Sequence, residues 1–148
     1  MRALLLSALV ATLGPHGIGS VHFGETKSQA VSQLTALFGA PTSRGPNTGC
    51  SPRYTEVAWG GLSAEFRSRV FSGYRYWHAP SPRLETANGV TLGTTLGRAR
   101  AAYGGLKRRG TILWQAPNGL VLVDDSRGDP ASPSDRIVEI KIGTCGDF

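Results

Sequence analysis

The chain has 148 residues, 40% of them hydrophobic and 18% charged, and these values exclude wholesale disorder and predict one domain or two small units sharing a core. Its 20 glycines and 9 prolines favour many turns and short strands. The formal net charge of +6 would suit an anionic partner, but the basic residues are scattered. Their only cluster, Lys107–Arg109, is interpreted as a solvated turn, so we expect no nucleic-acid binding.

The N-terminus carries one Arg and then an apolar run from Ala3 to Leu13. This pattern is typical of a secretory signal peptide, and the run is too short to span a membrane as a mature helix. We predict a signal peptide over residues 1–11 and a protein that is secreted or held in the cell envelope, with no stable membrane insertion. The alternative is a buried first strand or helix of a cytosolic protein.

A first unit is predicted over residues 12–84. Val21 and Phe23 alternate with polar residues, which indicates a short strand. Thr26 and Gln29 then fit a capping box, and the apolar residues that follow recur at helical spacing as far as Gly39. We therefore expect a strand followed by a helix.

Two apolar segments complete this unit. The first, Glu56–Phe66, contains a Gly60-Gly61 pair that is typical of a hairpin turn. The second, Val70–Trp77, is expected to be the next strand. The first unit is therefore predicted to end in three antiparallel strands.

A second unit is predicted over residues 85–148, because the same order of elements recurs. Val90 and Leu92 lead into a helix capped by Thr95. Three predicted strands follow, at Thr111–Gln115, Leu120–Asp124 and Arg136–Gly143.

The resulting fold class is α+β, with two tandem helix-plus-antiparallel-sheet units forming one module and both helices on one sheet face. A single unit of this size would be marginally stable, and two units side by side would protect each other's sheet edges. The opposite sheet face would remain open for a partner.

The stretches VHFGETKSQAV and VTLGTTLGRARAAYG, with AWGGL and QAPNGL, form a pattern that resembles the β-lactamase inhibitor protein family. It also resembles the related single-unit outer-membrane assembly lipoproteins, and short secreted actinobacterial proteins share it. The resemblance implies a protein-binding role through the open sheet face and no catalysis. This chain is shorter than the inhibitor and has one cysteine pair, placed between the units, so the β-lactamase target does not carry over.

The two cysteines, Cys50 and Cys145, are predicted to form a disulfide, because an even count in an exported protein is typical of such pairing. The bond would tie the first unit to the last strand of the chain. The alternative is Cys50 as a nucleophile, but no His lies at the spacing of a known cysteine-enzyme signature.

Aromatic and arginine residues are the candidate partner-binding site. Tyr74 and Tyr76 are predicted to face outward from their strand, with Arg67 and Arg69 nearby, because Tyr and Arg are enriched in binding hot spots. The remaining candidates are Trp59 and Trp114. The alternative is that these aromatic residues fill the core.

Metal sites, cofactors and catalysis are not predicted. The histidines, His16, His22 and His78, lack ligand spacing, and the acidic loop with Asp124, Asp125 and Asp129 does not match an EF-hand. The parts of a hydrolase site are missing from the sequence. We expect a monomeric, secreted, non-catalytic protein-binding module. One such role would be inhibition of an extracellular or envelope enzyme. The alternative is a structural envelope protein that binds an anionic surface.

Overall fold

The computed structural model describes residues 11–46, 49–126 and 131–145, and within these ranges the protein is mainly β. It contains an eight-stranded antiparallel sheet, a four-stranded sheet and two short helices. The prediction of an α+β protein built from two helix-plus-sheet units is therefore wrong. Neither predicted lead-in strand joins the large sheet: Val21 lies in a small sheet that three N-terminal strands form with Glu85–Thr86, and Val90 and Leu92 lie in no strand.

In chain order the elements are β1 (Thr12–Gly14), β2 (Gly17–Ile18), β3 (Val21–His22), α1 (Lys27–Phe38), β4 (Ser43–Pro46), β5 (Tyr54–Trp59), β6 (Leu62–Arg67), β7 (Val70–Tyr76), β8 (Glu85–Thr86), α2 (Leu96–Tyr103), β9 (Lys107–Arg108), β10 (Leu113–Gln115), β11 (Val121–Asp124) and β12 (Ile137–Ile142). The large sheet has the order β4-β5-β6-β7-β12-β11-β10-β9, and the small sheet has the order β3-β2-β1-β8. The predicted turn at Lys107 is thus an exposed edge strand.

One hydrophobic core joins both sheets and both helices. The small sheet contributes Leu13 and Ile18, which are almost fully buried, and β8 pairs in parallel with β1. Helix α1 contributes Ala30 and Leu34, and the shorter α2 contributes Leu96 and Ala99. Burial of this apolar surface is the main term that stabilises the fold.

Both helices begin at the predicted threonines. The Thr26 hydroxyl accepts a hydrogen bond from the Gln29 N–H, and the Gln29 side chain accepts one from the Thr26 N–H, so the capping box is confirmed. At α2 the Thr95 hydroxyl accepts from the Arg98 N–H. Gly104 ends α2 in the left-handed conformation, with a φ of 67°.

The hairpin of β5 and β6 is confirmed, and its register pairs Trp59 with Leu62. The next hairpin, β6 with β7, contains a bulge: Glu65 pairs with Gly73, whereas Phe66 pairs with Phe71. Because one extra residue enters β7 there, the alternation of faces along the strand changes. Phe71 and Tyr74 are therefore both buried, and the predicted outward orientation of Tyr74 is wrong.

The predicted disulfide is confirmed. Cys50 and Cys145 are bonded, with their Cα atoms 6.1 Å apart and a sequence separation of 95 positions. The bond ties the connection between β4 and β5 to the segment after β12. The predicted signal peptide lies outside the described residues except for Ala11, which is buried in the core.

Candidate anion-binding groove

A cavity of about 1150 Å³ lies between α1 and the edge of the large sheet, and we call it the α1 groove. Its basic lining residues are Lys27, Arg44, Arg53 and Arg69. Its hydroxyl-bearing lining residues are Thr26, Ser28, Ser32, Thr35, Thr55 and Ser68, and Val31 and Pro52 complete it. The groove is as large as the upper range of small-molecule pockets, so it has room for a ligand that makes several polar contacts.

The first turn of α1 forms one wall of the groove. The Lys27 N–H donates to the Arg69 carbonyl at 2.8 Å, which fixes the start of the helix against the turn between β6 and β7. The Lys27 ammonium donates to the Thr55 hydroxyl at 2.9 Å and lies 5.5 Å from the centroid of the Phe66 ring. Its position is thus held by a hydrogen bond and a cation–π contact, and the positive end of the helix dipole adds to its charge.

The turn between β6 and β7 forms the second wall. Ser68 and Arg69 both have positive φ, at 49° and 65°. A two-residue hairpin turn of this kind favours Asn-Gly, because the left-handed conformation costs other residues about 1–2 kcal/mol each. The Ser68 N–H donates to the Arg53 carbonyl at 2.9 Å, so the turn is also held against the segment before β5. Arg69 therefore occupies a strained position at which glycine would be favoured.

The edge of the large sheet forms the third wall. Arg44 lies on β4, an edge strand whose four residues are all exposed, and its register partner is Val57. Arg53 is exposed just before β5, in the connection that the disulfide anchors through Cys50. The two arginines thus come from different segments of the chain and meet only in the folded protein.

The α1 groove has an uncompensated positive charge. Its described lining residues include no Asp or Glu, and none of its four basic side chains forms an ion pair with another described residue. The Thr35 hydroxyl is buried and has no hydrogen-bond partner among the described residues. A ligand with several acceptor oxygens would pair with the basic side chains of the groove.

The aromatic residues predicted to bind a partner are buried instead. Trp59 and Trp114 are 3% and 5% exposed, and Tyr74 and Tyr76 are 0% and 3% exposed. The Tyr74 hydroxyl donates to the Gly14 carbonyl at 2.9 Å, and burial raises the pKa of that hydroxyl. These side chains hold neighbouring segments together, and the expectation that Tyr76 faces outward is wrong as well.

The polar ends of the other buried aromatics are also used internally. The Trp59 indole N–H donates to the Gly39 carbonyl at 2.9 Å, and the Tyr76 hydroxyl accepts from the Leu84 N–H. The Trp114 indole N–H donates to the Asp124 carboxylate at 2.7 Å. Each of these aromatic residues thus connects its strand to another segment of the chain through a hydrogen bond.

Of the predicted arginines, Arg69 lines the groove and Arg67 does not. The Arg67 guanidinium lies 5.9 Å from the centroid of the Tyr54 ring and is exposed. Sequence reasoning missed Lys27, Arg44 and Arg53. The available signal was the run TSRGPNTGCSPR, whose two basic residues follow a capped helix that itself starts with a lysine.

A second polar cluster lies on the large sheet. It consists of Ser63, Arg75 and Lys141, which are register partners on the neighbouring strands β6, β7 and β12. A smaller cavity of about 240 Å³ lies there beside the disulfide. The Arg75 guanidinium donates twice to the Glu139 carboxylate, at 2.8 and 3.2 Å. The buried Glu65 carboxylate accepts from the Cys145 N–H at 2.7 Å. Because these charges are paired within the protein, the cluster is better explained as structural.

The described residues of the predicted acidic loop also form hydrogen bonds within the protein. Asp124 accepts from the Ser126 N–H, and Asp125 accepts from the Arg136 N–H, whereas Asp129 lies outside the described residues. In the described ranges no group of three or more His, Cys, Asp or Glu side chains could hold a metal ion. Within the same ranges no helix is long and apolar enough to cross a membrane.

No protein-family model, curated protein or solved structure matches this chain.

Proposed function

We propose that this protein is an exported, non-catalytic binding module that holds an anionic partner in the α1 groove. The observation that carries the proposal is the convergence of four basic side chains on one cavity whose described lining residues include no acid. Surfaces of one charge select partners of the opposite charge and speed their association. The net charge of +6 acts in the same direction at longer range.

Binding without catalysis is favoured by the groups in the groove. Its described lining residues include no carboxylate, imidazole or thiol, and these groups serve most often as general bases and nucleophiles. The amine of Lys27, which lines the groove, is engaged with the Thr55 hydroxyl. Guanidinium groups and hydroxyls that do not lose protons near neutral pH are suited to holding an anion.

Export is supported by the disulfide, because such bonds persist in oxidising compartments and are rare in the cytosol. The predicted signal peptide over residues 1–11 is consistent with the same destination. A secreted module and an envelope component share this chemistry, and the identity of the anion distinguishes them.

The proposal is tested with tripolyphosphate, a small polyanion, titrated into the ¹⁵N-labelled disulfide-bonded protein at low salt. We expect amide shifts confined to the residues that line the groove. The double variant Arg44→Gln with Arg53→Gln should weaken binding by about ten-fold, because each of these exposed arginines contributes up to about 1 kcal/mol through its ion pair with the anion.

The matched control is Arg83→Gln with Arg98→Gln, which removes the same charge from exposed residues outside the groove. We expect its affinity to stay within about two-fold of that of the parent protein, since the change acts only through screened long-range charge. Equal losses in the two double variants would show that net charge alone attracts the anion, and the proposal would be wrong.

A further inference from the structure

The first residues of α1 and α2 are held by the same kind of backbone contact. The Lys27 N–H donates to the Arg69 carbonyl at 2.8 Å, and the Leu96 N–H donates to the Asp135 carbonyl at 2.7 Å. Each of these residues directly follows the threonine that caps its helix. The two helix starts can therefore be compared position by position.

The next position differs between the helices. At α2 the Gly97 N–H donates to the Pro133 carbonyl at 2.9 Å, and a Cβ placed on Gly97 would lie 3.3 Å from Pro133 atoms. At α1 the corresponding N–H, that of Ser28, has no acceptor among the described residues, and Ser28 lines the groove. A peptide carbonyl thus fills at α2 the position that remains open at α1.

The segment that fills the position at α2 is a short turn. The Asp135 N–H donates to the Ser132 carbonyl at 3.0 Å, and the Ser132 N–H donates to the Asp135 carboxylate at 2.7 Å. A proline and an aspartate in such a turn fix its shape before it docks. The protein therefore shows, within its own fold, how a peptide segment covers a helix start of this type.

We propose that the α1 groove binds a short acidic peptide segment of a partner protein. One carbonyl oxygen of that segment accepts from the Ser28 N–H, as Pro133 does at Gly97, and its carboxylates pair with Arg44 and Arg53. This inference rests on the proposed anion-binding function of the same groove. If the acidic segment belonged to an extracellular or envelope enzyme, binding would block the surface around that segment.

A peptide is favoured over a nucleic acid because of what lines the groove. Single-stranded nucleic acids are held mainly by stacking of bases on aromatic side chains. The described lining residues include no aromatic side chain. Hydroxyls, guanidinium groups and an N–H donor instead match the carbonyl and carboxylate oxygens of an acidic peptide.

The test uses the ¹⁵N-labelled disulfide-bonded protein and a synthetic peptide, acetyl-Glu-Ser-Pro-Ser-Asp-Glu-amide, which carries the turn sequence found at α2 between two glutamates. The control peptide has Gln and Asn in place of its acids. We expect the acidic peptide to bind at least about ten-fold more tightly than the neutral one and to slow hydrogen exchange of the Ser28 N–H.

Two variants locate the contact. Ser28→Pro removes the N–H within the first helical turn, where proline is tolerated, and should weaken peptide binding by about five-fold or more. If that variant does not fold, Arg44→Gln with Arg53→Gln provides the same test through the carboxylates, with Arg83→Gln and Arg98→Gln as its control.

The outcomes separate this inference from the function on which it rests. Binding of tripolyphosphate in the groove without binding of the acidic peptide would overturn the inference and leave anion binding intact, as expected of a protein that holds an envelope polymer. Peptide binding that leaves the Ser28 N–H unprotected would also overturn it. Failure of both probes would overturn both proposals.

Discussion

The surroundings of α1 and α2 differ although the two helices start in the same way. Both begin at a threonine cap, and both caps form an isolated bridge, Thr26 with Val70 of β7 and Thr95 with Arg136 just before β12. The strands behind α1 are joined by a two-residue turn, whereas those behind α2 are joined by a connection of twelve residues, 125–136. The longer connection lets Pro133 reach back to α2, and the short turn leaves a groove beside α1.

The arginines near the two helices also differ in whether other side chains of the protein contact them. Beside α2, the Arg100 and Arg108 guanidinium groups lie 4.4 and 5.7 Å from the centroid of the Trp114 ring, which is itself bonded to Asp124. Beside α1, Arg44 and Arg53 have no comparable aromatic or acidic partner among the described residues. Arginines near α2 thus stabilise the fold, and those in the groove are available to a ligand.

The largest expected effect comes from the disulfide, which anchors the groove wall at α1 and has no counterpart at α2. Replacing Cys50 and Cys145 by serine should lower the free energy of unfolding by about 2–4 kcal/mol, because the closed loop of the unfolded chain is lost. Urea unfolding followed by tryptophan fluorescence measures this. Reductant should destabilise the parent protein and leave the serine variant unchanged; an unchanged parent would contradict the prediction.

Removal of the helix caps should affect α1 more than α2. Thr26→Ala breaks a capping box and should cost about 1 kcal/mol, whereas Thr95→Ala breaks one cap bond and should cost about 0.5 kcal/mol. The free energies of unfolding of the two variants, measured in urea, give the comparison. A larger loss for Thr95→Ala would show that contacts beyond the cap hold α2.

Glycine substitutions in the strained turn at the groove should raise the free energy of unfolding, whereas the preceding substitutions should lower it. Ser68→Gly should raise the free energy of unfolding by about 0.5–1 kcal/mol, since glycine adopts positive φ without steric cost. Arg69→Gly should gain similar stability but weaken tripolyphosphate binding, because it also removes a groove charge. A stability loss in either variant would mean that the side chains contribute more than the strain costs.

The smallest expected effect is the pH dependence of stability that Asp124, on the α2 side of the protein, contributes. Burial opposes ionisation of Asp124, but hydrogen bonds from Ser126 and Trp114 and the charge of Arg108 together lower the pKa of its carboxyl. A carboxyl with a lowered pKa stabilises the fold above its unfolded value, about 3.9, and this contribution is lost as pH falls through the folded value.

The variant Asp124→Asn should therefore lose less stability than the parent protein between pH 7 and pH 3, because it lacks this titrating group. Urea unfolding at both pH values measures the difference, and the exposed Asp125→Asn variant serves as a neighbouring control. Equal pH dependence in the parent protein and the Asp124 variant would exclude the assigned hydrogen bonds as the cause.

Parts of the fold with local causes could be predicted from the sequence. The capping box at Thr26, the Gly60-Gly61 turn and the last strand depend on neighbouring residues and periodicity, and each is present. The fold class was predicted wrongly in part because the segment before α1 pairs with itself and with β8 instead of with the large sheet. Pattern alone does not say which strand becomes the partner of a two-residue strand.

The candidate site was the less predictable part. The orientation of Tyr74 was inferred from strict alternation along β7, and a single bulged residue changed that alternation. Arg44 and Arg53 line one groove with Lys27 only in the folded protein, where strand pairing places Arg44 and the disulfide anchors the segment of Arg53. Arg69 was predicted as a binding residue, but from its proximity in sequence to the tyrosines and not from the groove that it lines.

By itself the sequence determined the helix starts, most hairpin strands and the cysteine pair of this protein, because caps, turns and periodicity act over a few residues. The tertiary structure decided which residues are buried, which strands are neighbours and which basic residues line one groove. The side-chain orientation along β7 depends on one inserted residue, and the opening beside α1 depends on the two-residue turn between β6 and β7; neither alters the local sequence pattern.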